Sequence, residues 1–283
     1  MTKRTLLITG ATGNQGGAAI RALLKQGDDW TLRAIVRNPE SERAKALQAK
    51  GVELVKGDLN DERAVTEAVK GAYGVFSVQT AQEEGPEVEA KQGKLLASTA
   101  ANVGISHFIY SSAGGAERNS GIPHFESKWE VEQHIRSLAL PATVFRPVAF
   151  MDNFGPFMFR TIMLSLWKTY MPDGQKLQLI AADDIGWFVA RAFSEPSEYI
   201  GKAVELGGDA VTRPRAVQML KQAGRGPVVS FRIPKPLLNR LPKEFTLMFS
   251  WMAQKGFAAD LPALRHIDPE LKLFEQWAAR TPA

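Results

Sequence analysis

Residues 5–16, Thr-Leu-Leu-Ile-Thr-Gly-Ala-Thr-Gly-Asn-Gln-Gly, constrain this chain more than any other stretch. A short apolar, strand-forming run leads into Gly10-x-x-Gly13-x-x-Gly16, and residues 17–25 then repeat their apolar side chains at helical spacing. A strand, a tight turn and a helix start leave backbone N–H groups unpaired at the positive end of a helix dipole. That arrangement holds a pyrophosphate. Gly10 and Gly13 let the backbone turn and approach a ligand, Gly16 lets the helix lie close to a sheet, and Thr12, Asn14 and Gln15 share the loop. The spacing has one residue more between the first two glycines than the dinucleotide fingerprint G-x-G-x-x-G, but the flanking strand and helix are the context that motif requires. A glycine turn with no ligand is the competing reading.

The second strand, Trp30–Val36, ends at Arg37, with Arg33 upstream. NAD-selective sites place an acid at this point to accept from the ribose 2′-hydroxyl. A guanidinium instead grips a 2′-phosphate, so the expected cofactor is NADP(H), a solvated surface charge being the competing reading of Arg37. Strands are then expected at 52–56, 73–78 and 106–110, with helices at 41–50, from 61, and at 87–103. The carboxyl ends of parallel strands face the ligand crevice, which puts Asp58 and Leu59 at the adenine and Gln79, Thr80 and Ser111 along the same edge. The alternation argues for an α/β fold, a doubly wound Rossmann-type parallel sheet with right-handed crossovers.

After a strand at 140–147 the chain becomes dense in Phe and Met. Phe150, Met151, Phe154 and Phe157 read as an apolar substrate wall, with Asn153 as its polar handle. Packing in the core of a small lobe is the alternative. The expected organisation is a cofactor domain over 1–150 and a smaller C-terminal α/β lobe for substrate or partner over 151–283, interleaved with the first. Asp183 and Asp184 are expected to cap a helix at 185–193, and Thr212 a further one. Residues 245–252 are expected to cover the cleft or meet a partner.

Composition narrows the classes further. Of 283 residues, 45% are hydrophobic and 23% charged, as in ordinary globular proteins. There is no cysteine, hence no disulfide framework or thiolate site, and His107, His124, His134 and His266 lack metal-ligand spacing, so no metal is expected. A net charge of +5 suits an anionic ligand, but no basic block interleaved with aromatics points to nucleic acid. No apolar run approaches the roughly 18 residues of a membrane span. With the first strand so near the first residue, no signal peptide is expected, and the cytoplasm is the expected location.

Gly10-Ala-Thr-Gly13-Asn-Gln-Gly16, Arg37, Gly57-Asp58-Leu59, Ser111-Ser112, His124-Phe125-x-x-Lys128, Arg146-Pro147, Met151-x-Asn153-Phe154 and Asp183-Asp184-Ile185-Gly186 together resemble the NmrA-like group of the extended and atypical short-chain dehydrogenase/reductase superfamily. The resemblance spans nearly the whole chain. Enzymes of that superfamily use a Tyr-x-x-x-Lys pair with a serine, the Tyr giving a proton to a carbonyl as hydride arrives. Here the Tyr position is His124, and the serine position of extended members holds Ala113. Lys128 is retained, and the resemblance implies that it hydrogen-bonds the nicotinamide ribose. His124 is a replacement proton donor, a hydrogen-bonding residue without chemistry, or a plain loop-to-helix residue. The resemblance implies an NADPH-dependent oxidoreductase acting on a small apolar carbonyl or quinone-like acceptor. The alternative is a non-catalytic NADP(H) redox sensor working through a protein partner, and an oligomer is compatible with either.

Overall fold

The structure is a computed structural model that describes residues 3–27 and 29–280. Its elements run β1 (Arg4–Ile8), α1 (Asn14–Lys25), β2 (Trp30–Val36), α2 (Glu42–Gln48), β3 (Glu53–Lys56), α3 (Glu62–Val69), β4 (Gly74–Ser77), α4 (Ala81–Glu84), α5 (Pro86–Val103), β5 (His107–Ser111), α6 (Pro123–Ser137) and β6 (Ala142–Pro147). They continue through β7 (Ala149–Phe150), α7 (Phe157–Tyr170), β8 (Lys176–Ile180), α8 (Ala182–Ser194), α9 (Pro196–Tyr199), β9 (Ala203–Leu206), β10 (Asp209–Thr212), α10 (Arg213–Gln222), α11 (Lys235–Leu238), α12 (Lys243–Gln254), α13 (Leu261–Ile267) and α14 (Phe274–Ala278). Two compact units are assembled from alternating stretches. The first takes Met1–Ser112, Ser127–Phe145 and Ile185–Val204, and the second Ala113–Glu126, Arg146–Asp184 and Glu205–Ala283. The chain therefore passes between them several times.

The sheet of seven strands has the order β3-β2-β1-β4-β5-β6-β9. Leu6 stands opposite Leu32 and Gly74, and Ile8 opposite Ala34 and Phe76, in parallel register. A parallel sheet must be covered on both faces, and the period of two divides its side chains accordingly. Leu7, Ile35, Val75, Phe108, Tyr110 and Val144 face a core shared with α3, α5 and α6. On the other face α8 lies so close to α1 that a Cβ on Gly186 would stand 2.4 Å from the carbonyl carbon of Ala18. Phe193 of α8 packs there against Trp30 and His107, and Phe188 against Phe145. This is the doubly wound Rossmann-type arrangement.

Local chemistry sets the helix ends. Ser41 Oγ accepts the Ala44 amide at 3.3 Å, and Asp61 Oδ1 accepts those of Arg63 and Ala64 at 2.9 and 3.3 Å. Gly104, at φ +73°, ends α5 in the left-handed conformation that glycine favours.

In the second unit β8 pairs antiparallel with β10 and parallel with β7. Helices α7, α10, α12 and α14 close on an apolar core that includes Trp167, Phe249 and Phe274. Residues 245–252 accordingly give Phe249, Trp251 and Met252 to this core, leaving Leu247 44% exposed. The aspartates expected as caps differ from that expectation. Asp183 and Asp184 lie inside the first turn of α8, where Asp183 accepts from Arg280 and the buried Asp184 accepts the backbone and side chain of Lys272. The first amide of that helix, on Ala182, is instead taken by Asp152 Oδ2 at 2.9 Å. Thr212 holds the N-cap position of α10, but its side chain makes no capping bond.

Candidate functional site

The first strand's end is stitched to β4 by Thr9. Its buried Oγ1 accepts the Val78 amide at 2.8 Å and donates to the Val78 carbonyl at 3.0 Å. The chain then turns at Gly10, φ +58°, where a Cβ would meet Val78 Cγ1 at 2.9 Å. The Gly13 amide folds back on the Gly10 carbonyl at 2.9 Å. A Cβ at Gly16 would lie 2.3 Å from the Gly10 oxygen, so only glycine permits the helix to start this close to the turn. Helix α1 starts three residues earlier than its apolar spacing suggests, with Gly13 as a cap without a side-chain bond and no acid in its first turn. Its amide end is thus not neutralised by an acid of its own. Gly10, Thr12, Gly13 and Asn14 are exposed, Gln15 is half-buried and Gly16 buried.

Arg33 lies within β2 and Arg37 just past its end. Arg33 is held by Glu53 at 2.9 Å and by the carbonyls of Ala68 and Lys70 at 3.0 and 2.7 Å, a structural clamp. Arg37 is exposed just past the strand's end. Asp58 and Leu59 are half-buried after β3, the Asp58 carboxylate accepting the Asn60 amide at 2.8 Å and Leu59 packing at the core's margin. Gln79 is buried, its Nε2 donating to Ser77 Oγ at 3.0 Å, while the exposed Thr80 caps α4 through the Gln82 amide.

Lys128 gathers the strand ends. Helix α6 begins at Pro123, a residue suited to a first turn, so His124 and Lys128 are both helical. Lys128 Nζ lies 2.9 Å from Glu89 Oε1, 3.4 Å from the Gln79 carbonyl and 3.5 Å from the Ser111 carbonyl. Ser111 Oγ donates to Gln15 Oε1 at 2.6 Å, which brings two of the expected contact residues together. Ser112 Oγ is turned away to the buried Glu132 carboxylate, also at 2.6 Å. The fully buried Tyr110 hydroxyl has its pKa pushed up, by desolvation first and by the Glu89 and Glu132 carboxylates second.

His124 belongs to the second unit, where its Nδ1 is 3.6 Å from Glu244 Oε2 and its ring meets Phe125 edge-on at 4.9 Å. The residues expected to form a substrate wall divide. Phe150 and Asn153 are half-buried and Phe157 is 49% exposed, whereas Met151 and Phe154 are fully buried, Phe154 packing against Trp167 and Phe274. Among the described residues no cluster of His, Asp or Glu could hold a metal, and no helix is long and apolar enough to cross a membrane. His107 is instead a core residue, its Nε2 2.8 Å from Thr143 Oγ1 and its pKa lowered by burial to about 4.

Sequence reasoning missed Thr9, Glu89 and Ser127. Glu89 reads as an ordinary first-turn acid of α5, and only the fold turns it inward.

A glycine turn at a helix start, at one end of a parallel sheet whose strand tips converge on a lysine, defines a Rossmann-type protein. The chain belongs to the NmrA-like family, which it matches over residues 2–272. It is 33% identical over 243 residues to the NmrA-like family domain-containing oxidoreductase hkm9 of Aspergillus hancockii, covering 75% of this chain and 70% of that one. Its fold is similar to that of the NADPH-dependent quinone oxidoreductase QOR2 of Escherichia coli, solved with NADPH, at TM-score 0.79, 22% identity and coverage of 97% and 98%. It is also similar to Nmra, a negative transcriptional regulator solved with NADP, at TM-score 0.76, 22% identity and coverage of 99% and 95%.

Proposed function

We propose that the first unit binds NADP(H) and that the protein reduces a small apolar carbonyl or quinone-like acceptor. The observation that carries this reading is Lys128, held where the ends of β4 and β5 meet through Gln79 and Ser111. The residues present fit such a cofactor. An α1 amide end without an acid suits a diphosphate, and Arg37, an exposed residue past the end of β2, has the charge that suits a 2′-phosphate. Gly10, Thr12, Gly13, Asn14, Gln15 and Gly16 form the diphosphate turn, Asp58 and Leu59 flank the adenine, and Gln79, Thr80 and Ser111 line the rest. Bound NADPH would supply the hydride. Lys128 orients the nicotinamide ribose, and its positive charge favours negative charge developing on an acceptor oxygen. Phe150 and Asn153 are the apolar wall and polar handle offered to the acceptor, and His124 is the candidate proton donor. The family's curated oxidoreductases and the fold shared with a quinone oxidoreductase support the reading.

A second reading, a redox sensor that reports NADP(H) to a protein partner, is favoured by two observations. His124 stands at the tyrosine position, and both strand-end serine hydroxyls are engaged, with Gln15 and Glu132. The shared fold with a transcriptional regulator agrees with it. Sensing requires different affinities for the oxidised and reduced cofactor. The deciding experiment follows NADPH oxidation against a panel of quinones and aldehydes. Turnover that Lys128→Ala abolishes supports the reductase. Turnover that survives Lys128→Ala excludes Lys128 from the reaction. No turnover, with NADP⁺ and NADPH bound unequally, supports the sensor.

A further inference from the structure

Glu89 lies in the first turn of α5, where an acid ordinarily faces solvent and complements the helix dipole. Its side chain is instead 1% exposed, and its two oxygens have separate tasks. Oε1 meets Lys128 Nζ at 2.9 Å, while Oε2 accepts the Ser127 hydroxyl at 2.7 Å, fixing the carboxylate's rotation. Burying an ion pair costs desolvation that the pair's attraction often fails to recover, so stability is a poor reason for this arrangement.

The lysine's contacts are unequal. An ammonium has three N–H donors. One makes the short, charge-assisted bond to Glu89, and the others reach the Gln79 and Ser111 carbonyls only at 3.4 and 3.5 Å, the outer edge of hydrogen bonding. The Tyr110 ring, its centre 5.9 Å from Nζ, closes another side. We infer that Glu89 is a positioning residue for Lys128: it anchors the ammonium by one N–H at the tips of β4 and β5. The two long carbonyl contacts are the ones released when the vicinal hydroxyls of a ribose arrive. This rests on the reading above that Lys128 binds the nicotinamide ribose. Ser127 contributes at one remove, by steering the carboxylate.

The test is a double-mutant cycle on NADPH affinity, measured by calorimetry with Glu89→Gln, Lys128→Met and the double variant. Glu89→Gln keeps the shape and removes the charge, and it is expected to weaken NADPH about tenfold, the size of one charge-assisted bond. In the Lys128→Met background the same change is expected to have no effect, whereas a residue that merely supports the fold would weaken both backgrounds equally. Wild-type affinity in Glu89→Gln, or equal losses in both backgrounds, overturns the positioning role while leaving Lys128 as the ribose ligand. Unchanged affinity in Lys128→Met overturns the ribose reading and the inference with it. Should Glu89→Gln fail to fold, carbon-13 NMR of the unmodified protein decides. NADPH is expected to shift the Gln79 and Ser111 carbonyl signals and to leave the Glu89 carboxylate signal in place; the reverse pattern overturns the inference.

Discussion

Around Lys128 the first unit buries charge and pairs it: Glu89 with the lysine and Ser127, Glu132 with Ser112 and Arg136. Around Phe154 the second unit buries rings, with Trp167 tilted against it, Phe274 edge-on to it and Trp277 stacked on Phe274. Apolar burial stabilises wherever it occurs. Polar burial is costly unless every group finds a partner, and paired buried charges cluster at functional sites. On the reading proposed above, the contrast separates residues that hold the protein together from residues that hold a ligand.

The sharpest way to break the contrast is Phe154→Ala. As a fully enclosed core ring, Phe154 should cost about 3–5 kcal/mol in denaturant unfolding when truncated. A loss below about 1 kcal/mol would make it a wall of a binding surface instead.

His107 tests whether buried polarity in the first unit always means a site. It is neutral in the fold, with a pKa of about 4 against 6.5 unfolded, so the unfolded chain binds more protons between those values. The stability it preserves is complete above pH 6.5 and falls by about 3 kcal/mol as the pH drops to about 4. His107→Gln should remove that part of the slope. An unchanged slope would assign it to the acidic residues.

Gly16→Ala is the smallest of the three in expected effect. Its methyl would press on the Gly10 carbonyl, and a loss of about 1–3 kcal/mol in unfolding free energy is expected as α1 shifts outward. No loss would mean that the turn adapts freely.

The doubly wound parallel sheet and most element positions were legible because glycine turns, strand-forming runs and helical spacing are local signals. The turn at Gly10 and the close helix start at Gly16 followed from the same signal. Phe150, Met151 and Phe154 could not be sorted by exposure, since apolar residues at a strand's end suit a pocket and a core equally. Glu89 was hidden for a different reason. A first-turn acid is already explained by the dipole, and its inward turn depends on α6, which lies some forty residues further along. The aspartates of α8 misled similarly, because their pairing with Lys272 and Arg280 is set by the distant C-terminal segment.

The central claim is that an open helix start and the Arg37 guanidinium select a phosphorylated dinucleotide. Its most direct test is calorimetric titration of the unmodified protein with NADPH and with NADH. The account predicts saturable NADPH binding at least about tenfold tighter than NADH, the margin a charge-assisted phosphate contact provides. Equal affinity for both, or binding of neither, would contradict it.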